Sequence, residues 1–415
     1  MRRIDARIVR DWLSDGAEVA LLDGREEAEF AAGHPCLAVC CPLSRREMRA
    51  RALLPRLAAR VICTDGGERL GERLAEYLEG IGCPDIAVLE GGAPAWAAAG
   101  FGLFPGVETV AAAFARWVER HYGPKSPEWH EFRACREAGG AAALPAKRAR
   151  AFAEASGVGV LGPIDLARYE EDETRTCYVL DVRDADAFVA GHRPGSKSAP
   201  ADALLRDPGR WLGVHGARIA LIDAQDGTAA RFVGGWLRQM GHRDVFVVEG
   251  GLDEETVPGS APVAVPELDV PADTIEPEAL AAKTGLLVLD LARSIEFRAG
   301  HIPGARWGLR SRLATLGAAL QGARGVVLTS PESVQARLAV PEVRALTAAP
   351  VHVLQGGTAA WVRAGLSLES TPDDPPDAAC LDVWWPPAGQ DWTAGLAEAA
   401  AGEGGLAFGV PKLDD

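Results

Sequence analysis

The sequence predicts an α/β protein of three tandem domains, each a parallel sheet with helices on both faces. The first observation is a repeat: "LLDGREEAEFAAGHPC" at 21–36 recurs as "VLDVRDADAFVAGHRP" at 179–194 and "VLDLARSIEFRAGHIP" at 288–303, and in each copy a His follows an Asp at an interval of 11. The second is that apolar, β-branched runs such as 326–328 and 351–354 alternate with helical patterns. This alternation is typical of parallel strands buried on both faces.

The order of elements within one repeat follows from what comes after each Gly-His pair. In the first repeat a charged helix leads to the strand and helix of "RVICTDGGERLGERLAEYLEGIG", and "DIAVLEGG" supplies the last strand. The other two repeats pass through "RIALIDAQDGTAARFVGGWLRQMG" and "GVVLTSPESVQARLAV" to "VFVVEGG" and "VHVLQGG". The shared order is strand, Gly-His turn, strand, loop, helix, strand and Gly-Gly.

Repeat spacing divides the chain unevenly. Asp181 and Asp290 are 109 residues apart, whereas Asp23 and Asp181 are 158 apart, so about 49 residues separate the first two domains beyond one period. The surplus is Ala-rich and has a helical pattern. We therefore expect domain 1 at 1–105, a helical linker at 106–158, domain 2 at 159–262, domain 3 at 263–370 and a Pro-containing tail at 371–415. The tail carries Trp384, Trp385 and Trp392, which we expect to pack back on a domain, with a partner-binding segment as the alternative.

Composition narrows the class of protein. The chain has 415 residues and a net charge of -15, which disfavours nucleic acid and anionic membranes as partners. No apolar stretch is long enough to span a bilayer, and no apolar segment follows the basic N-terminus as in a signal peptide. The eight cysteines form no CxxC pair and fit reduced thiols. We expect a cytoplasmic protein.

Each repeat resembles a rhodanese domain. The resemblance rests on D-x-R, on "GHRPGS" and "GHIPGA", and on "LEGGAPAW" and "LQGGTAAW" in the expected order. It implies a cysteine at the end of a central strand, in a C-x-x-G-x-R loop whose amides and following helix favour the thiolate. Such a thiolate takes the outer sulfur of thiosulfate as a persulfide and passes it to a thiol or cyanide.

The whole chain also resembles bacterial rhodanese-related proteins of four tandem domains, in which the second domain carries the active cysteine. On this resemblance, the segment 106–158 is the remnant of that second domain. The loops of the second and third repeats lack the cysteine. We expect both to be degenerate at these residues: Asp223, Ala224, Gly227, Ser330 and Ser333.

The first repeat offers one candidate nucleophile, Cys63, in "VICTDGGERL". In one register Cys63 is at the loop mouth; in the other Thr64 takes the nucleophile position and Cys63 lies inside the strand. The spacing to the Gly-Gly pair favours the second register, because the intervals in the other two repeats place the residue at the strand end at Asp65 or Thr64. The predicted anion cradle consists of Asp65, Gly66, Gly67, Glu68 and Arg69. If Cys63 is at the loop mouth, the segment from Cys63 to Arg69 also satisfies the C-x5-R pattern of a phosphatase loop, which is a minor alternative.

We predict structural roles, rather than metal binding or acid–base catalysis, for the other cysteines and for the histidines of the repeats. Cys36, Cys40 and Cys41 match no established metal spacing, so no metal is expected. The histidines of the three Gly-His pairs are predicted to hold the turns by hydrogen bonds to backbone, and the Asp and Arg of D-x-R to form an ion pair at the strand end. The histidines are His34, His192 and His301.

Two functions from different classes remain open. The first is sulfur transfer through a Cys63 persulfide, with a small sulfur anion such as thiosulfate, or a thiol acceptor, as partner. The second is a catalytically inactive scaffold that binds a small anion or a protein. Neither requires a cofactor.

Overall fold

The computed structural model describes residues 1–138, 145–224, 226–252, 256–260, 265, 268, 271–386, 391, 393 and 396. Three sheets run through these residues, and the predicted α/β class is confirmed. The strands in chain order are β1 Arg2–Ile4, β2 Val19–Asp23, β3 Val39–Cys40, β4 Arg60–Thr64, β5 Ile86–Leu89, β6 Gly159–Leu161, β7 Cys177–Asp181, β8 Lys197–Ser198, β9 Val214–His215, β10 Arg218–Ile222, β11 Asp244–Val248, β12 Asp273–Ile275, β13 Leu287–Asp290, β14 Arg306–Trp307, β15 Val326–Thr329 and β16 Val351–Leu354.

The three sheets repeat one topology. Their orders are β1-β5-β4-β2-β3, β6-β11-β10-β7-β8 and β12-β16-β15-β13-β14, and every pairing within these paths is parallel. The first sheet departs from the prediction at one place, because β9 from domain 2 pairs antiparallel with β2. The second domain thus extends the sheet of the first.

Helices connect the strands and cover the sheets. Their bounds are α1 Ala6–Ser14, α2 Glu27–Ala31, α3 Arg46–Leu53, α4 Leu70–Gly80, α5 Gly92–Ala98, α6 Thr109–Tyr122, α7 Pro127–Ala138, α8 Ala146–Ala155, α9 Pro163–Glu171, α10 Ala185–Ala190, α11 Ala201–Arg206, α12 Thr228–Gln239, α13 Pro277–Ala281, α14 Ser294–Ala299, α15 Gly317–Gly322, α16 Val334–Leu338, α17 Val340–Arg344 and α18 Gly357–Arg363. Among the described residues, none of these helices has the length and apolar character that a bilayer crossing needs.

The Gly-His turns have the structural role predicted for them. Each imidazole stacks on a Phe four residues earlier, with ring centroids 3.7 to 3.9 Å apart. Nδ1 of His192 and of His301 lies 3.1 and 2.8 Å from the carbonyl oxygen of that Phe, and Nδ1 of His34 lies 2.8 Å from the carbonyl oxygen of Pro35. The rings therefore serve to pack and tie the turns.

Helices α6 to α8, in the segment predicted as a linker, form part of a core. Phe114, Phe132 and Phe152 from this segment surround the fully buried Trp236 of α12, with ring centroids 4.6 to 6.0 Å from it. The apolar cluster containing these rings continues through domain 2 into domain 1. Domain 3 has apolar clusters of its own.

The tail lies against domains 1 and 3. The amide of Ala28 donates to the carbonyl of Leu381, and the amide of Ser294 donates to Asp382. The backbone amide of Trp384 donates to Glu27 at 3.2 Å, whereas Trp385 is half exposed. The prediction for Trp392 lies outside the described residues.

Candidate functional site

The candidate site in each domain is the loop that follows β4, β10 or β15, at the carboxyl edge of the sheet. Parallel-sheet proteins bind ligands at this edge. The strand register aligns the three loops: Asp23 pairs with Thr64, Asp181 with Ile222, and Asp290 with Thr329. The first residue after the strand is therefore Asp65, Asp223 or Ser330.

The Gly-Gly pairs confirm this alignment. A Cβ atom on Gly92 would lie 2.5 Å from the carbonyl oxygen of Asp65, and one on Gly251 would lie 2.5 Å from that of Asp223. Both glycines have positive φ angles, +59° and +64°. The second glycine is required because the loop backbone passes directly over it. In domain 3, Gly357 approaches Ser330 in the same way.

Cys63 lies inside β4, between Leu22 and Val88 of the neighbouring strands. It is fully buried within the apolar cluster of domain 1. Burial raises the pKa of its thiol well above the ordinary value, because a thiolate is poorly solvated there. The structure therefore corrects the register in which Cys63 is at the loop mouth. Whether Cys63 carries sulfur stays a prediction.

Thr64 is also not at the loop mouth. It is the last residue of β4, it is fully buried, and its carbonyl accepts the amide of Gly24. Its Oγ1 has no hydrogen-bond partner among the described residues. The predicted nucleophile position at Thr64 is thus one residue too early in the sequence. Asp65, the first residue after β4, occupies that position.

The carboxylate of Asp65 fills the predicted cradle of domain 1. Its Oδ1 accepts the amide of Gly67 at 2.7 Å, and its Oδ2 accepts the amide of Gly71 at 2.8 Å. Asp65 itself is buried, with 5% of its surface exposed. Amides that a rhodanese loop directs at sulfur are here bound by an oxygen anion of the chain.

The remaining cradle residues make the loop acidic. Arg69 is 76% exposed on its side chain and bonds to Glu72 at 2.5 Å, so its charge is turned outward. The side chain of Glu68 lies over Gly66, where a Cβ atom would be 2.6 Å from Oε2. Burial raises the pKa of Glu68, and the charge of Asp65 raises it further. A dianion such as thiosulfate would meet two carboxylates here.

Domain 2 repeats this arrangement. Oδ1 of Asp223 accepts the amide of Ala224 at 2.7 Å, and Oδ2 accepts the amide of Ala230 at 3.1 Å. Gly227 takes the left-handed conformation, φ +59°, that begins α12. The loop is again closed by its own carboxylate.

Domain 3 uses a hydroxyl instead. Oγ of Ser330 accepts the amide of Ala336 at 3.3 Å, and Ser330 is 1% exposed. Ser333 has a φ of +66° before α16, and its hydroxyl donates to the carbonyl of Leu354 at 2.6 Å. Both hydroxyls are engaged by the backbone, so neither is oriented as a nucleophile.

The D-x-R pairs are strand-end ion pairs, as predicted. Arg25 and Asp23 are 2.7 Å apart, and Arg183 and Asp181 are 2.6 Å apart. Ala292 stands where domain 3 would have the arginine, and within the described residues the carboxylate of Asp290 accepts just the amide of Ala292, at 2.9 Å. Burial raises the pKa of Asp290 to about 6.

The cysteines after His34 lie in different apolar surroundings. Cys36 packs with Phe104, Cys41 lies in the cluster that contains Cys63, and Cys40 is half-buried beside the cluster of β2 and α1. Within the described residues, no group of three or more His, Cys, Asp or Glu side chains is arranged to hold a metal ion.

Comparison with known proteins agrees with the repeat pattern. Residues 5–99 and 165–255 match the family model described as rhodanese-like domain. A thiosulfate sulfurtransferase from Pseudomonas aeruginosa is 29% identical, with a TM-score of 0.89, and the match covers 99% of this chain and 100% of that one. The rhodanese-like domain of an Anabaena protein is 20% identical over 28% of this chain and 92% of its own, with a TM-score of 0.23.

Proposed function

This chain belongs to the rhodanese-like sulfurtransferase family, and from that premise we propose that its three loops do not transfer sulfur and that it acts as a scaffold binding a small anion or a protein. The observation that carries the proposal is the carboxylate of Asp65, which accepts the amides of Gly67 and Gly71. A thiolate in that position would attack thiosulfate, whereas a carboxylate has no sulfur to form a persulfide.

Electrostatics supports the same proposal. Rhodanese chemistry needs an anion to approach the loop and a thiol that ionises. In domain 1 the loop carries Asp65 and Glu68, and in domain 2 it carries Asp223 and Asp226, so both loops repel anions. The thiol of Cys63 is held protonated by burial. None of the eight cysteines forms a disulfide bond in the described residues, which fits the cytoplasmic location that we propose.

A second candidate is sulfur transfer through Cys63, favoured by the likeness to the Pseudomonas aeruginosa enzyme over nearly the whole chain. In that reaction the Cys63 thiolate attacks the outer sulfur of thiosulfate, sulfite leaves with the bonding electron pair, and the persulfide is passed to a thiol or cyanide. It requires the end of β4 to shift so that Cys63 comes to the position of Asp65.

The deciding experiment measures sulfur loading. We would incubate the protein with thiosulfate and record its intact mass, then add cyanide and measure thiocyanate. The variants are Cys63→Ala, Asp65→Cys and, as a matched control without a thiol, Asp65→Ser. We expect no sulfur on the wild type or on Asp65→Ser. We expect Asp65→Cys to gain one sulfur atom, because its thiol faces the amides of Gly67 and Gly71.

The two candidates give opposite results. Sulfur on the wild type that is lost in Cys63→Ala would establish the second candidate and refute the first. Sulfur that persists in Cys63→Ala would contradict the Cys63 mechanism and direct attention to another thiol. Circular dichroism of Asp65→Cys and Asp65→Ser checks that loss of the carboxylate has not unfolded the loop.

A further inference from the structure

A cavity of about 460 Å³ lies where domains 1, 2 and 3 meet. Domain 1 contributes Cys40 and Arg45, the turn before β9 contributes Arg210, and Arg293 and Asp382 close it from domain 3 and the tail. We call it the junction cavity. Its volume is in the range of small-molecule sites. The described residues that line it do not belong to the three loops discussed above.

Two guanidinium groups in this cavity, those of Arg45 and Arg49, form no ion pair within the described residues. The side chain of Arg45 makes no hydrogen bond or ion pair with the described part of the chain, although it is largely buried. Burial lowers the pKa of Arg45 and the positive charge of Arg293 lowers it further, while the negative charges of Glu296, Asp382 and Glu26 partly oppose this. Arg49 donates to the carbonyl oxygens of Arg210 and Cys40, at 2.9 and 3.2 Å. Largely buried cations without an anionic partner are costly.

Three of the four carboxylates that line the cavity bind other donors, although Oδ1 of Asp382 has no hydrogen-bond partner in the described residues. Glu26 accepts the hydroxyl of Ser44 at 2.8 Å, Glu27 pairs with Arg293 at 3.3 Å, and Oδ2 of Asp382 accepts the amide of Ser294 at 2.8 Å. The fourth, Asp207, has its pKa raised to about 6 by burial, although the positive charges of Arg49 and Arg210 oppose the rise. In the part of the chain that the structure describes, neither Arg45 nor Arg49 forms an ion pair with these carboxylates, so each guanidinium can bind an anion that enters the cavity.

We propose that the junction cavity binds a small oxyanion of phosphate or sulfate size, held by Arg45 and Arg49. Guanidinium groups form paired, charge-assisted hydrogen bonds to such oxygens, and these bonds are stronger where water is partly excluded. The site lies against the turn of domain 2 that carries Arg210, because Arg49 donates to the carbonyl oxygen of Arg210. Because the site is separate from the loops, anion binding and sulfur transfer are measured independently.

Calorimetry with inorganic phosphate tests the proposal on the full-length chain. We expect saturable binding to the wild type, with affinity at least about tenfold weaker in Arg45→Gln, since a charge-assisted hydrogen bond is lost. The control is Arg168→Gln, which removes an equal charge from an exposed pair with Asp165. Arg45→Lys keeps the charge and should lose less affinity than Arg45→Gln.

The thiol of Cys40 reports on the same cavity without any mutation. Cys40 lines the cavity and is half-buried, and Cys177, also half-buried, lies elsewhere. Burial raises the pKa of both thiols, so alkylation is measured at alkaline pH. At a phosphate concentration ten times the Kd, alkylation of Cys40 should slow by about tenfold, because only the empty form reacts, while that of Cys177 should not change. Mass spectrometry of the two peptides gives both rates from one sample.

Three outcomes would overturn the proposal. One is the absence of both heat and Cys40 protection in the wild type. Another is equal affinity in folded Arg45→Gln and in wild type. The third is equal loss of affinity in Arg168→Gln and Arg45→Gln, which would indicate general charge screening. Should Arg45→Gln fail to fold, Cys40 protection in the wild type still decides.

Discussion

Domain 1 meets its two neighbours through different chemistry. Toward domain 2 the contact is a continuous apolar cluster, an added strand and the buried Tyr178, whose hydroxyl donates to the carbonyl of Leu53 at 2.5 Å. Toward domain 3 it is ionic: Arg310 contacts Glu47 at 2.7 Å, and Arg46 contacts Glu342 at 2.8 Å. The apolar junction adds to folding through burial, whereas the ionic one is neutral unless a partner is removed. Domains 1 and 2 are thus expected to unfold together.

The largest effect should come from the shared apolar cluster. We expect Trp236→Ala to lower the free energy of unfolding by about 3–5 kcal/mol, because the indole is fully buried among aromatic rings. Urea unfolding followed by hydrogen exchange and mass spectrometry separates the domains. Peptides of domains 1 and 2 should lose protection together while those of domain 3 keep it.

The matched variant is Trp236→Phe. It retains an aromatic ring and removes an indole N–H that has no hydrogen-bond partner in the described residues. We expect a much smaller loss than for alanine. If Trp236→Ala destabilised domain 3 as much as domain 1, the division into an apolar and an ionic junction would be wrong.

The ionic junction should respond next. Arg310→Leu removes the closer cation of the buried Glu47, which keeps Arg46 at 3.2 Å. We therefore expect a loss of about 3 kcal/mol in the free energy of unfolding, at the low end for a broken buried ion pair. Arg310 and Glu47 each expose 3% of their side chains. The double variant Arg310→Leu with Glu47→Leu should recover most of the loss, since Glu342 retains Arg46 at 2.8 Å. A double variant no more stable than Arg310→Leu would mean that the pair itself stabilises the junction.

The smallest expected effect concerns Asp290, and its sign depends on pH. The folded-state pKa of Asp290 is raised to about 6, so folding favours the protonated form. Its contribution to stability is present below about pH 4 and is lost as pH rises through 6. Asp290→Asn should therefore stabilise domain 3 by about 2 kcal/mol at pH 8 and have little effect at pH 4. Urea midpoints at both pH values test this.

Asp181→Asn supplies the opposite case. Asp181 pairs with Arg183 in domain 2, so its replacement leaves a partly buried arginine unpaired and should destabilise at pH 8. The same substitution is thus expected to have opposite signs in two equivalent strands. Equal signs would show that Ala292 is not what distinguishes domain 3.

Much of the fold was predictable because it depends on local pattern. The repeated Asp, Gly-His and Gly-Gly positions specify a strand end, a turn and a close approach, and each recurs with the same geometry in all three sheets. The Asp23–Arg25 and Asp181–Arg183 pairs follow from residues two apart in sequence. The missing arginine at Ala292 was visible in the sequence as well, although nothing there indicated how deeply Asp290 is buried.

The candidate site was predicted to within one or two residues, and that margin decides its chemistry. Ile62, Cys63 and Thr64 are all compatible with a buried strand, so residue type does not mark where β4 ends. Successive strand residues point to opposite faces, and only pairing with Leu22 and Asp23 sets the register. Spacing to the Gly-Gly pair indicated the correct region and left Thr64 and Asp65 as alternatives.

The sequence by itself determined three α/β repeats, the order of strands within each, and the loss of the expected cysteine from two loops. Tertiary structure alone decided that Asp65 occupies the loop of domain 1 and that β9 joins the sheet of that domain. It also decided that Arg45, Arg49 and Arg293 meet in one cavity. The physical reason is range: turns and strand ends depend on neighbours in sequence, whereas burial, register and charge pairing depend on residues that folding brings together from different domains.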